Sequence, residues 1–296
     1  MYRLCFHGDR GGRRSSLSAE VAAMAGTEAP VAVGVKDLAT DVAAVRVAAA
    51  EAAATGRPLR IVHAFMWPLE LPPGDDGAER EQAERIVADA AAQAREWHRG
   101  LEVTPEVVDG EMIEVLLRTA ARASMLVIGS DDPEGPADPT ASVSFQVAAR
   151  AAGPVLCVRG SGTTGGPVVV GVDGSADAAV GLATAVEEAQ RRQAPLVVLH
   201  AEGAACAETH ATGGLKVEHR RVEGPAGQAL NSASADAQLV VVGAQGDRPT
   251  PLGPVTQAVL RHADCPVLVA RSRNVPVQAR IRPARRPATR LGPALT

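Results

Sequence analysis

The chain has 296 residues, 46% of them hydrophobic but only six aromatic, so it can bury two ordinary cores built from small aliphatics and lacks the platforms for base stacking. The formal net charge of −4 is uneven: from Arg271 onward there are seven Arg and no acid, which leaves −11 on residues 1–270. Four Cys without a CxxC pair give neither a zinc framework nor a disulfide pattern, and no apolar run is long enough to span a bilayer, which together predict a cytoplasmic protein without metal or membrane.

Residues 1–29 are aperiodic and rich in Gly, Ser, Arg and Ala, and read as a disordered segment in which Met24 is an alternative start. VAVGV around Gly34 is a short apolar run bounded by turn residues, the pattern of a strand buried on both faces. An Ala-rich helix follows over Thr40 to Thr55, closed by Gly56 and Pro58. LRIVHAF is a second strand, Ala78 to Arg99 a polar-faced helix, and LEVTPEVV a third strand. A helix over Glu111 to Ala123, the strand MLVIG, a helix over Ala141 to Ala152 and the strand PVLCV complete the series. The order then recurs: VVVGV, a helix over Ser175 to Arg192, LVVLH, LKVEHRRV, a helix over Ala226 to Ala235, LVVVG, a helix over Val255 to His262, and PVLVA. Strands alternating with helices demand parallel sheets with right-handed crossovers.

The recurrence is a duplication. PVAVGVKD from Pro30 matches PVVVGVDG from Pro167, and ARAAGPVLCVR ending at Arg159 matches RHADCPVLVAR ending at Arg271. Gly34 aligns with Gly171 and His63 with His200, both 137 residues apart, whereas Gly129 and Gly243 are 114 apart and Pro154 and Pro266 are 112 apart. The second copy therefore lacks 23 residues between its His and its Gly, and its second crossover is close to the minimum for parallel strands. The division reads as residues 1–29, a first domain over 30–160, a second over 166–271, and a basic, disordered tail over 272–296.

In an open parallel sheet ligands gather at the carboxyl ends of the strands, where the order reverses. There the second copy has Asp173, Gly174 and Ser175 after its first strand, and GAQGDRPTPLGPVTQAVL from Gly243 after its fourth. Closely spaced glycines at such a turn let backbone N–H groups approach a phosphate, and the following helix adds its positive N-terminus.

VGVDGS after strand one, GxxG after strand four, and a glycine opening a helix that ends in CPVLV together resemble the universal stress protein family, over roughly residues 30–160 and 166–271. The resemblance implies two tandem flavodoxin-like α/β domains, each a doubly wound five-stranded parallel sheet, related by a pseudo-two-fold. It also implies association through the apolar edge strands VLCVR and VLVAR, and a possible homo-oligomer. It places Asp173 at the adenine or ribose, and Gly243, Gly246 and Gly253 against ribose and phosphate, of ATP or another adenine nucleotide. Two departures weaken the phosphate side. Six residues rather than nine separate Gly246 from Gly253, and Pro254 replaces the hydroxyl residue, removing two donors at a cost on the order of 3–6 kcal/mol. Thr256 is the candidate replacement. The first copy carries Lys36 for the Asp, Asp132 for the second Gly, Ala141 before Ser142, and extra acids at Asp131 and Glu134, so it is expected to bind no nucleotide.

The leading functional expectation is a non-catalytic stress-response or regulatory protein binding an adenine nucleotide weakly in the second copy. The alternatives are an interaction protein without nucleotide, serving an unidentified protein partner, and a slow ATPase. Asp173 has a second reading as a helix cap. His63 and His200 read as packed or hydrogen-bonded, Cys157 and Cys265 as inert core thiols, Cys206 and His210 as an unsupported metal pair, and the Arg-rich tail as a solvated arm rather than a nucleic-acid site.

Overall fold

The computed structural model describes residues 29–67, 77–129, 142–159, 165–201, 214–245 and 251–272. The first copy contributes β1 (Val31–Gly34), α1 (Leu38–Thr55), β2 (Leu59–Phe65), α2 (Ala78–Trp97), β3 (Val103–Asp109), α3 (Met112–Arg122), β4 (Met125–Gly129), α4 (Val143–Arg150) and β5 (Val155–Val158). The second contributes β6 (Val168–Val172), α5 (Ala176–Arg191), β7 (Leu196–His200), β8 (Val217–Arg221), α6 (Ala226–Ser234), β9 (Leu239–Gly243), α7 (Pro254–His262) and β10 (Val267–Ala270). The expected tail, the N-terminal segment, Cys206 and His210, Asp131, Asp132, Glu134 and Ala141, and the interior of the second crossover lie outside the described residues.

Local chemistry sets the boundaries. Asp37 caps α1 by accepting from Ala39 N, and Gly56 ends it with φ 63°, a conformation that costs glycine nothing. Ser175 caps α5 by accepting from Ala178 N. Pro254 occupies the first position of α7, one residue earlier than the sequence suggested, because a missing N–H is harmless there. Pro105 is tolerated in β3 because β3 is an edge strand.

The described strands form one ten-stranded sheet in the order β3-β2-β1-β4-β5-β10-β9-β6-β7-β8. Each copy pairs in parallel within itself, and β5 meets β10 antiparallel. Leu156 faces Leu268 at the centre of that pair. These are equivalent residues of the two copies, so the pseudo-two-fold runs through them and the expected pairing of the apolar edges is realised within one chain. The helices cover both faces. α1, α2 and α5 pack on one core, which includes Val33, Ile61, Val170 and Val198, and α3, α4, α6 and α7 on the other, which includes Leu126, Val169, Leu199 and Val242.

Where α1 meets α5, Glu51 and Glu188 occupy equivalent positions, 137 residues apart, and both are nearly buried. Arg191 and Arg192 bridge them, with Arg191 Nη2 2.6 Å from Glu51 Oε2 and Arg192 Nε 3.1 Å from Glu188 Oε2. The first copy has Ala54 and Thr55 in the corresponding places, so a single copy supplies both cations. Burial and the neighbouring Glu188 carboxylate together push the Glu51 carboxyl above its ordinary range.

Candidate functional site

The strand order reverses between β6 and β9, and a cavity of about 230 Å³ opens there at their carboxyl ends. Its floor is apolar, from Val172, Leu199, Val222 and Leu230, with Asp173, Ser175 and Gln245 on the polar side and Gly253, Pro254, Val255 and Thr256 along one wall. A Cβ on Gly171 would lie 2.9 Å from Leu230 Cδ1, so the leucine tip would have to shift to admit a side chain. Its counterpart Gly34 meets Leu116 in the same way, at 2.6 Å.

Asp173 is exposed and lines the cavity. Its Oδ1 accepts from Ser175 N at 3.0 Å, so it shapes the turn into α5 while Ser175 is the helix cap proper. Gly243 and Gly253 also line the cavity, and each is glycine for a packing reason. A Cβ on Gly243 would stand 2.7 Å from the Asp177 backbone, where the first turn of α5 crosses the end of β9. A Cβ on Gly253 would stand 2.5 Å from Gln245 O. Gly253 N donates to Ala244 O at 2.9 Å, closing the base of the loop. Gly246 lies outside the described residues.

The donors available to a phosphate are few. Thr256 is buried, and its hydroxyl donates to Gly243 O at 2.7 Å, so that proton is engaged at the strand end. Pro254 has no N–H, and that of Gly253 is engaged. α7 has no side-chain cap, however, so the first-turn amides of Val255 and Thr256 face the wall of the cavity as an anion-accepting helix terminus.

Sequence reasoning missed two aspartates. Asp177 Oδ2 accepts from Gln245 N at 3.0 Å and ties the loop after β9 to α5. In the first copy Asp41 Oδ2 accepts from Lys36 N at 2.7 Å and from Asp37 N at 3.1 Å, and a Cβ on Gly129 would lie 2.6 Å from Asp41 Oδ1. A carboxylate thus sits between the ends of β1 and β4 and engages the Lys36 and Asp37 amides. Both residues look like ordinary first-turn acids in the sequence.

His63 Nδ1 donates to Val35 O at 3.0 Å, a structural hydrogen bond. His200 instead places Nε2 2.9 Å from His219 Nδ1. Cys157 and Cys265 are buried, and burial pushes their thiols up to about 12 and about 11, respectively, as expected of core residues. Among the described residues no three or more His, Cys, Asp or Glu gather at metal-holding distance, and no helix is long and apolar enough to cross a membrane.

The model of the universal stress protein family matches residues 29–159 and 201–271. The chain belongs to the universal stress protein family. A universal stress protein of Mycolicibacterium smegmatis is 31% identical over 295 residues, covering 83% of this chain and 98% of that protein. One of Mycobacterium tuberculosis is 30% identical over 267 residues, covering 75% of this chain and 90% of that protein. The crystal structure of a universal stress protein from Archaeoglobus fulgidus superposes with a TM-score of 0.64 at 17% identity, covering 81% of this chain and 96% of that one, and thus shares the fold. β6, α5 and β7 fall outside the second matched stretch, yet they and the turn between β6 and α5 supply Asp173 and part of the cavity's lining.

Proposed function

We propose that this universal stress protein is a non-catalytic stress-response protein that holds one adenine nucleotide, of short phosphate chain, in its second copy. The observation that carries the reading is the 230 Å³ cavity at the β6–β9 reversal, with an apolar floor for a base, Asp173 at its polar rim and the uncapped start of α7 along its wall. Its size falls below the roughly 300–1,000 Å³ of drug-sized sites, which suits a nucleoside with one phosphate at the helix terminus. The first copy serves structure or partner contact, because Asp41 already occupies the amides at its strand ends.

Calorimetric titration of the full chain with ATP, ADP, AMP and cyclic AMP tests this. The expected result is one equivalent bound, lost in Asp173→Ala and retained in Asp37→Ala. Two equivalents, or binding indifferent to Asp173, would overturn the site. No binding of any of the four would favour the interaction-protein reading, which the engaged Gly253 amide and Thr256 hydroxyl also support.

A further inference from the structure

The two copies diverge on the face of the sheet opposite the cavity. Alternation along β7 turns Leu199 toward the core beneath the cavity, and His200 to the other face. In the first copy α2 packs over the equivalent face of β2 and β3. The second copy is 23 residues shorter in this interval, and residues 202–213, in the crossover itself, lie outside the described residues. β8 runs parallel to β7 with Val198 opposite His219 and His200 opposite Arg221. His219 is exposed, His200 is 4% exposed, and the rings stack at 5.2 Å between centroids with Nε2 of one facing Nδ1 of the other at 2.9 Å. The residue corresponding to His219 in the first copy is Pro105, by the register that pairs Leu59 with Val103 and Leu196 with Val217. The second imidazole therefore exists only in the second copy.

We propose that His200 and His219 form a binding site for a late divalent transition-metal cation, of the Cu²⁺ or Zn²⁺ class. Two imidazole nitrogens on one tetrahedral ion at about 2.0–2.1 Å stand roughly 3.3 Å apart, so the facing pair must open by a few tenths of an ångström and turn until both lone pairs converge on the ion rather than on each other. Among the described residues His200 Nδ1 is buried without a hydrogen-bond partner, and the ring's Nε2 is turned to His219. Each neutral ring carries one proton and one lone pair. Binding shifts one ring to its other tautomer so that both lone pairs face the ion, and no proton leaves the pair. The exposed side of His219 gives the ion's remaining positions to water. Arg221, on the same side of the sheet, opposes any divalent cation equally, but it is exposed and screened by solvent.

The test is titration of the full chain with Cu²⁺ and Co²⁺ in a non-chelating buffer at pH 7.5, with His219→Gln, His200→Gln and His219→Cys alongside and thermal melts to verify folding. The expected result is one equivalent of Cu²⁺ at micromolar affinity, weakened at least tenfold in His219→Gln, which alters an exposed side chain and leaves the fold intact. His219→Cys is expected to give a near-ultraviolet thiolate-to-Co²⁺ band. Wild-type Cu²⁺ affinity in His219→Gln, or a His219→Cys protein that binds Co²⁺ without that band, would overturn the site.

Discussion

Arg159 and Arg271 are equivalent residues, and each reaches across the pseudo-two-fold to the end of the other copy's last helix. Arg159 Nη1 donates to Leu260 O of α7 at 2.5 Å, and Arg271 Nη2 donates to Ala148 O of α4 at 2.6 Å. Leu260 and Ala148 are themselves 112 residues apart, like the two arginines. A cation at a helix C-terminus satisfies orphan carbonyls and meets the negative end of the dipole. The exchange locks both copies around the β5–β10 pair.

Arg271 is the more buried partner and also donates to Ala149 O at 3.0 Å. Arg271→Ala should therefore cost about 2–3 kcal/mol, at about 1.5–3 kcal/mol for hydrogen bonds to a charged group, and Arg159→Ala less. Urea denaturation of the full chain measures both. Unfolding in one transition is the expected form, because each core spans elements of both copies. Equal losses in the two variants would contradict the asymmetry in burial.

The Glu51–Glu188 contact makes stability depend on pH. With Arg191 and Arg192 both replaced by Ala, two buried carboxylates face one another without a cation, and the loss at neutral pH should be about 3–5 kcal/mol. A carboxyl whose pKa is raised by folding contributes stability that is present below its unfolded value and lost as pH rises through the folded one. The deficit of the double variant should therefore shrink as pH falls from 7 toward 4.5. A deficit that is constant with pH would show that the two carboxylates do not repel.

His200 acts with the opposite sign. Its folded pKa is lowered, so the stability it contributes is complete above its unfolded value of 6.5 and declines as pH falls toward the folded value. Wild-type protein should lose more stability between pH 7.5 and 5.5 than His200→Asn does. Parallel denaturation series at the two pH values measure the difference, and identical slopes would mean that His200 titrates as it does when unfolded.

The duplication made the strands legible, because each continuous apolar run was read twice and the flanking glycines and prolines bounded it. The pairing of β5 with β10 followed from the apolar edges of VLCVR and VLVAR. The site was legible only as a location. Gly243 and Gly253 stood out in the sequence, but the clashes that forbid a side chain there come from Asp177 and Gln245, residues brought near by the fold. Asp41 and His219 were invisible for a related reason. One depends on a helix turn folding back over a strand end, and the other on a register between β7 and β8 that no local pattern encodes. The role of Arg159 and Arg271 was hidden although both end the repeat, since an exchange between copies exists only once the sheet is joined.

Phosphate binding should gain little beyond a monophosphate. At the start of α7 the Gly253 amide is engaged, Pro254 has none, and the Thr256 hydroxyl is turned to Gly243. Two first-turn amides suffice for one phosphate, and nothing in the described wall adds a donor for a second. ATP should then bind less than about tenfold better than AMP, a gap under about 1.4 kcal/mol. Pro254→Ser restores an N–H and a hydroxyl at the helix start, each worth about 1.5–3 kcal/mol when it meets a charged oxygen. The variant should raise ATP affinity over AMP affinity by at least tenfold, read from paired calorimetric titrations of the two proteins. An unmodified protein that already prefers ATP a hundredfold, or a Pro254→Ser variant with an unchanged ratio, would place the phosphate chain away from α7.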